Sequence, residues 1–196
     1  MSTEFATVTV PMVHSDAIQP ATGGLQDLVQ WLSALGRVPT LDELNELLLA
    51  ADIADEEILP FRQFKPSTYA RHRLMRNQFA ELLVLCWRPG QRSPIHDHNG
   101  SHGTVRIHEG VLWESTFNLD NAEVLRYRSA REMGPGCVTG AGVEDIHQLG
   151  NPEVSGQDLV TLHIYAPPLG VMNTYKVGSS EVGSYCPDEF TDGAGI

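Results

Sequence analysis

Cysteine is scarce in this chain: Cys86, Cys137 and Cys186 are the only three in 196 residues. The number is odd and the spacing matches neither a disulfide framework nor a thiolate metal site, which argues for a reducing compartment. Cys86 lies in the apolar run LLVLCW, where a small thiol packs as a buried hydrophobe. Positive charge is also short, with 13 Lys and Arg against 25 Asp and Glu and a formal charge of −12. That balance argues against a duplex nucleic-acid partner, whose phosphates the summed field would repel. No apolar run reaches the length of a membrane span, and Met1 to Ile18 lacks a basic segment followed by an apolar stretch. The expectation is a cytoplasmic protein with neither a membrane nor a nucleic-acid partner; nothing in the sequence sets an oligomeric state.

What is present is enough chain for one domain, residues 1–196, to bury a core without cross-links. Leu25, Leu28, Val29, Leu32 and Leu35 recur at helical spacing and stop at Gly36, predicting an amphipathic helix over 24–35. Thr40 and Glu43 form a capping box for a second helix with a Leu41, Leu44, Leu47, Leu48 stripe. Residues of about 24–60 thus read as a helical N-terminal region, preceded by a frayed segment or edge strand over Met1 to Thr22. From about 64 to 177 the character is β: ELLVLCW, TVRIHEG, VLWESTF, EVLRYR and LVTLHIYA alternate with Gly and Pro turns. Short strands at this spacing predict an all-β core, a jelly-roll-like sandwich or barrel, with N-terminal α-helices. The tail, 178–196, offers little core and is expected to lie across the surface.

Arg62 to Arg106 holds seven arginines and Lys65 against only Glu81 and Asp97. These cations are either solvated on a sheet surface or a local field that draws a small anion. Four of the chain's eight histidines fall within thirteen positions at the end of this region and just beyond it, His96, His98, His102 and His108. In an extended segment His96 and His98 share one face while Asp97 points away. His108, in RIHEG, reads as exposed at a turn, and His102 as a loop residue or a neighbour of the site.

Gly90, His96, His98 and Gly110 fall on the first cupin motif, G-x5-H-x-H-x4-E-x6-G, with Gly103 standing where the motif has glutamate. His147 and Asn151 resemble the histidine and asparagine of the second motif. The resemblance implies His96, His98 and His147 as neutral imidazole ligands with no protein carboxylate. Imidazoles suit iron, zinc, copper or nickel, and a six-coordinate metal on three of them keeps three positions open on one face. Structural zinc would ordinarily have a fourth protein ligand, which the missing glutamate removes.

Arg71 in TYARHR, the run LCWRPGQRSPIHDH and HIYAPP extend the resemblance to the cysteine dioxygenase family of thiol dioxygenases, from about Phe64 to Met172. It implies a cupin fold and a mononuclear Fe(II) enzyme that oxidises L-cysteine to cysteine sulfinate with both atoms of O2. It further implies that Arg71 holds the substrate carboxylate and that Tyr69 and Tyr165 point hydroxyls at the substrate. Thr161, His163 and Tyr165 share a strand face, so a hydrogen-bonded chain can orient the phenol. Animal members have a cysteine at the position of Gly103, joined by a thioether to the tyrosine matching Tyr165; glycine cannot make that bond, so the phenol is expected to be unmodified, as in bacterial members. Met172 matches a pocket cysteine of animal members. Three other readings stay open: 3-mercaptopropionate dioxygenase, whose members commonly have glutamine at the position of Arg71; a non-catalytic cupin binding a metal or anion; and, residue by residue, Arg71 as a surface ion pair with His163 and Tyr165 as satisfied core groups.

Overall fold

The computed structural model describes residues 23–186. Its helices come first. In α1 (Leu25–Ser33) the buried stripe is Leu25, Leu28 and Leu32. The capping box opens α2 (Leu41–Ala50): the Glu43 amide donates to Thr40 Oγ1 at 3.3 Å, and the Thr40 amide donates to the Glu43 carboxylate at 2.7 Å. These bonds satisfy donors that a helix start otherwise leaves unpaired. A short α3 (Asp55–Ile58) and a 3-10 turn at Leu59–Phe61 lead into the strands.

The strands are β1 (Ala70–Arg76), β2 (Glu81–Trp87), β3 (Ile95–His96), β4 (His102–Glu109), β5 (Leu112–Leu119) and β6 (Leu125–Met133). They continue with β7 (Val138–Ala141), β8 (Ile146–Gly150), β9 (Leu159–Ala166), β10 (Met172–Tyr175) and β11 (Val182–Tyr185). Two antiparallel sheets result, ordered β1-β2-β9-β4-β7 and β11-β10-β3-β8-β5-β6. The jelly-roll-like β core with N-terminal helices is the predicted fold class. No helix among the described residues is long and apolar enough to cross a membrane.

The five-stranded sheet is buried on both faces, which explains why β2 and β9 read as continuous apolar runs rather than alternating ones. Leu82, Val84, Cys86, Val160, Leu162 and Ile164 belong to the layer beneath α1 and α2, with Leu28, Leu44, Leu47 and Leu48. Their neighbours Leu83, Leu85, Trp87, Leu159 and Tyr165 belong to a second cluster with Val105, Ile107, Leu112 and Leu149, inside the sandwich. Strand alternation therefore gives one face of β9 to the helices and sends Thr161, His163 and Tyr165 inward. Between β4 and β5, Gly110 has φ +84°, and a Cβ there would meet the Asp158 carbonyl oxygen at 2.3 Å. This last glycine of the first cupin pattern is thus required by a left-handed turn and by close backbone approach.

Within the tail, Val182–Tyr185 pairs with β10 as an exposed edge strand, and Tyr185 packs on the interior cluster. One expectation needs correction. His108 lies inside β4 rather than at an exposed turn; its side chain is 9% exposed, with Nε2 3.0 Å from Asp55 Oδ1. The edge strand proposed for Met1 to Thr22 and residues 187–196 of the tail fall outside the described residues.

Candidate metal centre and substrate recess

Register places the three histidines together. His96 on β3 pairs directly with His147 on β8. His98 follows two residues later, and Asp97 between them turns the other way, accepting from the Asn173 amide (3.1 Å), Asn173 Nδ2 (2.8 Å) and Tyr175 Oη (2.7 Å). The Asp97 contacts anchor the H-x-H segment to β10. Ring centroids lie 5.5 Å apart for His96 and His98, 4.8 Å for His96 and His147, and 4.9 Å for His98 and His147. One nitrogen from each falls within 4.8 Å of the other two, close enough for a single ion.

The far nitrogen of each ring is held. Nδ1 of His96 donates to Pro94 O at 2.9 Å, that of His98 to Gly142 O at 3.2 Å, and that of His147 to Glu114 Oε1 at 3.0 Å. With the protons on Nδ1, the lone pairs sit on Nε2, and Nε2 of His98 and of His147 is buried with no hydrogen-bond partner among the described residues. Burial, reinforced by the neighbouring imidazoles, lowers the pKa of His98 to about 4 and that of His96 well below its usual value. Convergent imidazole nitrogens left without partners are what a divalent metal needs. Among the described residues, no carboxylate belongs to the group.

Beside the histidines a small recess is lined by Tyr69, Arg71, Trp87, Leu149, Met172 and Tyr165, among others. Arg71 enters from β1 and is only 3% exposed, which removes the surface ion-pair reading. Its Nε has no hydrogen-bond partner among the described residues. Burial opposes its charge, yet the fields of Tyr69, Tyr165, Glu81 and Tyr185 outweigh that and raise its pKa. The neighbouring arginines of the sequence cluster are engaged elsewhere: Arg62 with Glu109, Arg73 and Arg76 near Glu81, and Arg106 on the Leu48 and Ala51 carbonyls. A larger cavity of about 420 Å³, between Arg92, Trp113, Gln148 and Val154, contains none of the three histidines.

The chain expected on β9 is present and longer. Trp87 Nε1, which can only donate, bonds Thr161 Oγ1 at 3.0 Å. The fully buried Thr161 hydroxyl is hydrogen-bonded to His163 Nε2 at 2.8 Å, and His163 Nδ1 lies 3.0 Å from Tyr165 Oη. When Thr161 donates to His163 Nε2, the His163 proton lies on Nδ1 and is donated to the phenol oxygen, which leaves the phenol proton for the recess; the other tautomer reverses both bonds. Burial, then Arg71, lowers the His163 pKa well below normal, and burial raises that of Tyr165, so both stay neutral.

A family model for cysteine dioxygenase type I matches residues 15–177. The chain belongs to the cysteine dioxygenase type I family. It is thereby an oxidoreductase of the dioxygenase class. Among curated relatives, the type 1 cysteine dioxygenase of Rattus norvegicus is 26% identical over 173 residues, and that of Danio rerio 25% over 172, each alignment covering 84% of both chains. A solved structure of a conserved protein with a double-stranded β-helix domain from Klebsiella pneumoniae superposes with a TM-score of 0.45 at 14% identity, over 65% of this chain and 92% of that one.

Within this cysteine dioxygenase family member, Gly103 is paired in register with Tyr165, and a Cβ on it would lie 2.7 Å from Cδ1 and Cε1 of the phenol ring. The absent side chain is therefore room for the tyrosine. Gly103→Ala is expected to displace the ring and lower stability by about 1–3 kcal/mol, as overpacking does. Thermal unfolding of the metal-free protein measures this, and an unchanged Tm would place the ring elsewhere. Peptide mass analysis is expected to find Tyr165 without a thioether.

Sequence reasoning missed Trp87 as a donor, Glu114, and the Asp97, Asn173 and Tyr175 set. His102 stands apart from the centre, with Nε2 2.8 Å from Pro39 O. Asn151 of the second motif is fully buried and structural: its Nδ2 donates to Trp87 O (3.1 Å) and Gln157 O (2.8 Å), tying the loop after β8 to β2. Tyr69 stacks on Trp87 with centroids 4.0 Å apart and forms a wall of the recess.

Proposed function

We propose that this chain is a mononuclear non-haem iron thiol dioxygenase that converts L-cysteine and O2 into cysteine sulfinate. His96, His98 and His147 hold the Fe(II), Arg71 and Tyr69 receive the substrate, and Tyr165 with His163 serves the reacting end. The observation that carries the reading is the convergence of three buried imidazoles, a group with no carboxylate ligand among the described residues, beside a buried arginine whose Nε has no described hydrogen-bond partner. When bound, Fe(II) on three protein ligands would supply open positions on one face for a thiolate and dioxygen together.

The residues of the recess then divide the work. The planar guanidinium of Arg71 offers a two-pronged grip on the carboxylate, fixing orientation as well as charge. Tyr165 presents its O–H to the reacting end, held in place by the His163 Nδ1–H bond at 3.0 Å. The apolar bodies of Trp87, Leu149 and Met172 exclude water, which strengthens both interactions.

Oxygen uptake by the Fe(II)-loaded protein tests the assignment. Cysteine is expected to drive uptake and appear as the sulfinate. Faster uptake with 3-mercaptopropionate would give the enzyme to that thiol, and none with either would leave a metal- or anion-binding cupin.

A further inference from the structure

Glu114 lies in no motif, yet it is the only carboxylate among the described hydrogen bonds of the three histidines. His96 and His98 donate their Nδ1 protons to the backbone carbonyls of Pro94 and Gly142, whereas His147 donates to Glu114 Oε1 at 3.0 Å. Glu114 is 3% exposed. It sits on β5, one residue before Thr116's neighbour Ser115, in the strand that pairs with β8, and Arg131 lies directly opposite it on β6. Arg131 donates from Nε to Glu114 Oε2 at 2.7 Å and from Nη2 to Thr139 Oγ1, with Nη2 also 2.6 Å from Glu114 Oε2 as an ion pair. Both carboxylate oxygens are thus committed, one to the imidazole and the other to a guanidinium. The Arg131 side chain is 57% exposed, so the carboxylate is gripped from the solvent side of the sheet while its other oxygen is sealed against His147.

The first cupin pattern has a glutamate at the position of Gly103, on β4. Here that position has no carboxylate, and one enters instead from β5, addressing the far side of an imidazole. We propose that Glu114 is a positioning residue that acts through His147: it fixes the ring's rotation and tautomer and raises the basicity of Nε2 toward the metal, with Arg131 holding the carboxylate in register. The proposal rests on the reading of His96, His98 and His147 as metal ligands. A ring whose Nδ1 proton is shared with a carboxylate is a better electron-pair donor than one bonded to a neutral carbonyl, and such partners typically govern metal affinity. His147 is therefore the strongest donor of the three.

The test uses the full chain, with Fe(II) alone as the probe under anaerobic conditions. Wild type, Glu114→Gln, Glu114→Ala and Arg131→Ala are titrated in competition with a coloured chelator, alongside the Tm of each metal-free protein and the reduction potential of each iron-loaded one. Wild type is expected to retain one iron. Glu114→Gln, which keeps an acceptor but loses the charge, is expected to bind about 10-fold more weakly, and Glu114→Ala about 100-fold. Arg131→Ala should fall between wild type and Glu114→Gln. The potential of Glu114→Gln should move positive, because a lost anion disfavours the ferric state; a merely structural residue would lower the Tm and leave the potential unchanged. If Glu114→Ala does not fold, Glu114→Gln and Arg131→Ala decide. Wild-type affinity and potential in Glu114→Gln would overturn the proposal while leaving the metal reading intact, and failure of the wild type to retain iron would overturn both.

Discussion

Alanine at His96, His98 or His147 is expected to reduce Fe(II) from one equivalent to a trace after desalting, with O2 uptake falling in parallel. Two imidazoles hold a labile divalent ion poorly, so each loss should exceed the roughly 10–100-fold typical of removing an outer hydrogen-bond partner. The metal-free variants should not be equally stable. His96→Ala and His98→Ala release backbone carbonyls at Pro94 and Gly142, whereas His147→Ala strands the buried Oε1 of Glu114. An unsatisfied buried acceptor costs about 1–3 kcal/mol, more when charged. His147→Ala should therefore show the lowest Tm of the three, and elemental analysis with thermal unfolding separates the two effects. Full iron content in His147→Ala would mean that the third ligand is misassigned.

Arg71→Ala is expected to cost about 2–5 kcal/mol in transition-state binding of cysteine, the loss typical of truncating one member of a buried charge pair. In kcat/KM that is roughly 30- to 5,000-fold. The magnitude follows from burial: a carboxylate brought to the Arg71 site without its guanidinium is desolvated and unpaired. Arg71→Gln keeps neutral donors and should retain more activity than alanine. Arg71→Lys keeps the charge without the fork and should fall well below wild type. Cysteamine, which has no carboxylate, should be a poor substrate of the wild type and comparatively less disfavoured in Arg71→Ala. Steady-state kinetics at matched iron content checks the series, and equal values for cysteine in wild type and Arg71→Ala would place the carboxylate elsewhere.

The histidine pair was legible because alternation in an extended segment is a local rule: His96 and His98 must share a face whatever surrounds them. The capping box at Thr40 and the leucine stripes were legible for the same reason. Glu114 and the Asp97, Asn173 and Tyr175 contacts were not, because their meaning lies in which strands become neighbours. Glu114 is 33 residues from His147, and Asp97 is 76 from Asn173. Strand β1 hid behind its own composition. ARHRLMR looks like a solvated, cationic segment, yet its first two residues are buried and Arg71 faces the recess. His108 misled in the opposite direction, since the sequence RIHEG suggests a turn one residue too early and Asp55, its partner, comes from the helical region.

The indole at the head of the Trp87, Thr161, His163 and Tyr165 series gives the site a closed back door for protons. An indole N–H does not titrate in water, so its hydrogen bond to Thr161 Oγ1 ends the series whichever way the protons between Thr161 and the phenol point. A Grotthuss-type relay needs an exit at its far end, and this one terminates in the stack of Trp87 on Tyr69. Any proton that leaves the phenol must be replaced from the recess itself, by substrate or by water admitted at its mouth. Tyr165 can share its proton across the recess but cannot pass it through the wall behind.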